Sequence, residues 1–154
     1  MTRLTLLLVF ALLSRVTLAQ KPFVDPTGTY TLKGDIARHR IIGHSGEIRV
    51  KLLNSGQVAL SFYINKGYPD YSAGSFTDTL SYTENMARWT PPDHPDYTIL
   101  ISFNTKEAET MQLFDGEEPR SSFGENVMVS AVFEKSSSDV PVIQDLSAHG
   151  MLRS

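Results

Sequence analysis

"GEIRVKLLNSGQVALSFYI", residues 46–64, alternates twice. Ile48, Val50 and Leu52 interleave with Glu47, Arg49 and Lys51, and then Val58, Leu60, Phe62 and Ile64 interleave with Gln57, Ala59, Ser61 and Tyr63. A period of two is the signature of a strand with one face buried, because successive side chains point to opposite sides of the pleat. Asn54-Ser55-Gly56 between the runs supplies residues that tolerate positive φ. The stretch therefore reads as a β-hairpin, with its apolar set turned toward a core.

Outward from this hairpin the same grammar recurs. Strands are expected at 27–33, 75–82, 87–90, 97–104, 109–114 and 127–135, each bounded by Gly, Pro, Asn or Asp. The segment 36–42 reads as a further strand or, from Asp35, as a helical turn. Helical periodicity is otherwise nearly absent, with a short helix possible only at 142–149. About eight short strands in one domain define an all-β protein. A small antiparallel β-barrel is preferred to the alternative, a β-sandwich, because closure removes exposed edges and no long helix exists to cover one. Residues from Ser136 onward read as a polar C-terminal tail.

Residues 1–19, "MTRLTLLLVFALLSRVTLA", have the order of a secretory signal peptide: Arg3, an apolar run, then Thr17-Leu18-Ala19. The run is short for a transmembrane helix, which needs about 20 residues, and Arg15 interrupts it. Cleavage after Ala19 is expected, giving a secreted or periplasmic chain with no integral membrane segment. Loss of Arg3 and Arg15 lowers the formal net charge from −3 to −5, which argues against nucleic acid as a partner. There is no Cys, so disulfides, thiol nucleophiles and Cys-ligated zinc are excluded.

Chemistry-bearing residues are sparse. His39, His44, His94 and His149 show no ligand spacing, and "DHPD" (93–96) reads as a turn, so neither metal nor cofactor is expected. No G-x-S-x-G occurs. "DGEE" (115–118) offers paired carboxylates for glycan hydrolysis, or a charged hairpin tip. Trp89 reads as a core or barrel-end residue. The remaining candidate is "KGYPDYSAGS" (66–75), where Lys66, Tyr68, Asp70, Tyr71, Ser72 and Ser75 surround Gly67, Pro69 and Gly74. Tyrosine offers a large amphipathic contact surface at low entropic cost. Tyr68 and Tyr71 either face a partner, a protein or cell-envelope glycan, or fold back onto the barrel.

The blocks "GTYTLKG", "GEIRVKLL", "VALSFYINKGYPDYSAGSFTDTLSY" and "FGENVMVSAVFEKSSSDVPVI" resemble a largely uncharacterised family of small secreted β proteins of Bacteroidetes type. That resemblance implies a disulfide between a Cys after the Pro-rich turn and one before the late Phe-Gly. Here "PDYTILI" and "RSSFGEN" carry none, so the bridge is absent. "SAGSFTDTLSY" followed by "MARW" more distantly resembles the periplasmic lysozyme-inhibitor barrels, which implies an inhibitor-like loop at Ser72 and Gly74 with Tyr82 on the flanking strand, at a different Gly-to-Tyr spacing. "GTY" entering the first strand resembles a lipocalin start without its Trp, and implies a carrier of a small apolar ligand. Among these readings the non-enzymatic binding module leads, with the carrier and the hydrolase as alternatives.

Overall fold

The computed structural model describes residues 21–115 and 127–143. The expected signal peptide and its cleavage site, residues 116–118 of the acidic group and the end of the possible helix at 144–149 lie outside them.

Among the described residues ten strands follow in chain order: β1 Gly28–Leu32, β2 Asp35–Ala37, β3 Arg40–Ile42, β4 Ser45–Asn54, β5 Gln57–Asn65, β6 Ala73–Thr83, β7 Met86–Trp89, β8 Tyr97–Phe103, β9 Glu107–Phe114 and β10 Ala131–Ser137. Eight of them close an antiparallel barrel in the order β1-β10-β9-β8-β7-β6-β5-β4, and β2 and β3 form a separate two-stranded sheet. The protein is thus an all-β barrel. The hairpin at 46–64 forms as its alternation requires, with Ile48 opposite Phe62 and Val50 opposite Leu60. Ile48, Val50, Val58, Leu60, Phe62 and Ile64 are fully or almost fully buried.

The interior is filled by rings and branched chains. Tyr30, Phe62, Phe103 and Phe133 are sealed from solvent, and Tyr30 and Phe103 meet edge to face at 5.5 Å. Phe62 stacks on Phe76 at 5.4 Å and meets Phe133 edge-on at 5.8 Å. Between β6 and β7 backbone pairing is confined to Tyr82 with Ala87 and Thr83 with Met86. Beyond that point aromatic stacking spans the seam: the half-buried Trp89 lies flat on Phe76 at 3.9 Å.

Two strand expectations need correction. Residues 36–42 make neither one strand nor a helical turn, because Arg38 and His39 both adopt positive φ, 49° and 62°, and reverse the chain into the β2–β3 hairpin. The last strand begins at Ala131, not at residue 127. Bonds between side chains and backbone replace the ladder there: Val129 N–H donates to Gln112 Oε1, Gln112 N–H donates to Ser130 Oγ, and Thr110 Oγ1 bonds the Val129 carbonyl. Val127 and Val129 are left to plug the barrel.

The two ends of the barrel differ. One carries the short turns 55–56, 84–85 and 104–106 and is sealed by the segment 21–27. Asn85 fastens this seal, its amide accepting from Val24 N–H at 2.8 Å and donating to the Pro22 carbonyl at 2.8 Å. Tyr82 and Tyr30 donate their hydroxyls to the carbonyls of Val24 and Pro26. At the opposite end emerge the β2–β3 hairpin, the loop 66–72, the loop 90–96 and the chain leaving β9 at Asp115. Connections that exceed what a tight turn needs are gathered at that end.

Candidate functional site

At the long-loop end the segment 66–72 is held by its own hydrogen bonds. Lys66 N–H donates to the Ser72 carbonyl at 2.9 Å and closes the loop, and Tyr71 N–H donates to the Gly67 carbonyl at 2.9 Å. Asn65, the last residue of β5, accepts from Gly67 N–H and donates to the Tyr71 carbonyl, so one side chain ties both ends. Lys66 Nζ pairs with Asp70 Oδ2 at 2.7 Å across the loop surface. The hydrogen bond from Lys66 holds the Asp70 carboxyl below the usual carboxylate range. The Tyr68–Pro69 peptide is cis.

Tyr68 and Tyr71 are 45% and 44% exposed, with rings meeting edge to face at 6.5 Å. They neither bury themselves against the barrel nor extend freely into solvent. Arg40 of β3 lies over the Tyr68 ring, its guanidinium carbon 4.3 Å from the ring centre. Tyr68 N–H donates to the Ile41 carbonyl at 2.9 Å. Gly67, at φ 79°, lies so near the carbonyls of Gly43 and Ile41 that any Cβ would strike them. Loop and hairpin therefore form one surface.

Of the candidate residues, Lys66, Tyr68, Asp70, Tyr71 and Ser72 are brought together in this loop. Ser75 stands apart on β6, opposite Tyr63 and exposed. Arg40, Ile41 and Ile42 belong to the surface and escaped the sequence reading. "DIARHRII" lacks the Asn-Gly signal that marks a two-residue hairpin, so its fold and its approach to Tyr68 were hidden. The distant pairing of His44 was equally unreadable: its Nε2 accepts from Met128 N–H at 3.0 Å. Among the described residues no group of three or more His, Asp or Glu side chains is arranged to hold a metal ion. Among them, too, no helix is long and apolar enough to cross a membrane.

The fold and surface define an antiparallel eight-stranded barrel with one sealed end and one end built of loops. Comparison of the chain with protein-family models, curated proteins and solved structures finds no match.

Proposed function

We propose that the protein is a secreted, non-enzymatic binding module, exported after cleavage near Ala19, whose loop 66–75 contacts a protein or a cell-envelope glycan. One observation carries this reading: two half-exposed tyrosines sit on a loop whose hydrogen bonds are already made. A partner that meets such a loop loses little affinity to ordering it. Tyr68 and Tyr71 combine an apolar ring with a hydroxyl, which suits either a protein surface or a sugar face. The ring-filled interior supports a module that binds on its rim over a carrier that binds inside.

The test is capture from the native envelope by immobilised protein. Tyr68→Ala with Tyr71→Ala should leave the melting transition close to that of the parent and reduce capture at least tenfold, about the effect of losing one anchor residue. Equal capture by parent and variant would remove the loop from the binding surface.

A further inference from the structure

The β2–β3 hairpin exposes apolar side chains that nothing in the barrel requires to be apolar. Ile36 is 80% exposed, Ile42 44% and Ile41 42%. Opposed residues of an antiparallel pair share a face, so Ile36 and Ile41 project from one side, while Ile42 and Arg40 project from the other beside Tyr68. Cations dominate the same segment. Lys33, Arg38 and Arg40 face a single acid, Asp35, between residues 33 and 44, whereas the chain as a whole is acidic. Arg38 and His39 occupy the two positive-φ positions of the turn, where Asn-Gly is the unstrained choice. The tip thus keeps the long cationic side chain of Arg38 at a conformational cost.

We propose that this hairpin docks on the surface of a lipid bilayer carrying anionic phospholipid. The proposal is independent of the partner assigned to the loop 66–75. Charge complementarity selects a negative surface, and the distribution of isoleucines selects a deformable one. A rigid protein face covers one side of a two-stranded ribbon, whereas an interface that closes around the tip covers Ile36, Ile41 and Ile42 together. Three residues of strand extend about 10 Å, the depth of the headgroup and upper acyl boundary. The turn leads, with Ile36 and Ile41 one rung behind Ala37 and Arg40, and the long side chain of Arg38 lets its guanidinium stay among the headgroups while the isoleucines meet the upper acyl boundary. Water remains available to the hairpin's unpaired backbone groups, so spanning the hydrocarbon is neither needed nor implied.

Cosedimentation of the full chain with vesicles tests the proposal. Mixed phosphatidylcholine and phosphatidylglycerol vesicles are compared with pure phosphatidylcholine, for the parent, Ile36→Ser and Arg38→Gln. Any contribution of residues 1–19 is common to all three chains, so differences among them report on the hairpin. Both substituted side chains are exposed, and matching melting midpoints establish that the variants are folded. Ile36→Ser should lower partitioning onto the mixed vesicles about tenfold. Arg38→Gln should lower it about fivefold and remove part of the preference for phosphatidylglycerol. Raising salt from about 0.05 to about 0.5 M should weaken binding by the parent more than by Arg38→Gln. Equal partitioning of the three folded chains, or no partitioning of the parent, overturns the proposal. A protein complex that depends on Ile36 and forms without any vesicle binding overturns it as well, and assigns the patch to a protein.

Discussion

Asn85 shows how much one side chain can hold. It is 2% exposed, adopts φ 63° in the β6–β7 turn, and satisfies two backbone groups of the sealing segment. Asn85→Ala leaves those groups unpaired and places a Cβ-bearing residue without a polar side chain in the left-handed region. A loss of about 3 kcal/mol in chemical denaturation is expected. The buried tyrosines give the barrel a pH dependence, and two of them, Tyr30 and Tyr82, lie at this same end. Desolvation pushes Tyr82 and Tyr97 up to about 12 and Tyr30 higher still. The folded state then holds protons that the unfolded chain releases near 10.0, its ordinary value. Below that pH both states are protonated and stability is unaffected; above it stability falls as pH rises toward 12. Denaturation midpoints should decline between about pH 10 and 12, and Tyr82→Phe should show a shallower decline than the parent. An equal slope would remove Tyr82 as a contributor.

Among the elements, the hairpin β2–β3 and the loop 66–72 depend on each other. A two-stranded sheet is marginal alone, and here Gly67, Tyr68 and Arg40 supply the tertiary support. Gly67→Ala forces a Cβ onto two carbonyls at φ 79°. It should cost about 1–3 kcal/mol globally and speed amide exchange at Tyr68, whose N–H reaches Ile41 only while the loop stays close. Unchanged exchange at Tyr68 would mean that hairpin and loop are not coupled. By contrast, β4 and β5 pair from Ser45 with Asn65 to Leu52 with Val58 without a register shift, and their core face meets Phe133 from the other side of the barrel. Phe133→Ala should cost about 3–5 kcal/mol, since a sealed ring leaves a cavity the closed sheet cannot collapse around.

At the scale of the whole molecule, the barrel is sealed at one end by the segment 21–27 and filled along its axis by aromatic rings. Organic extraction of the purified protein, followed by mass spectrometry, should therefore release no stoichiometric apolar ligand. A retained lipid would favour the carrier reading. Stability of the chain rests on closure, because no disulfide links its strands. Deleting residues 21–27 would expose Asn85 and the hydroxyls of Tyr30 and Tyr82, and should lower the melting temperature by more than any single substitution in that segment.

Most barrel strands were legible because alternation and turn chemistry are local: Ile48 to Ile64 announce their faces within one hairpin, and Asn54 to Gly56 announce the reversal. The tyrosine loop was legible as a loop for the same reason. Its state was not, since Arg40, Ile41 and Gly43, which meet Tyr68 and Gly67, lie more than twenty residues away in the chain. Val127 to Ser130 look like strand because the apolar run Val127-Met128-Val129 leads into Ala131-Val132-Phe133. They leave the ladder because Thr110 and Gln112, seventeen or more residues earlier, offer side-chain partners instead. Local pattern specifies which face of each segment is apolar, a property of neighbouring residues. Which loops share an end, and which isoleucines stay uncovered, depends on the closure of the sheet, where residues distant in the chain compete for the same space.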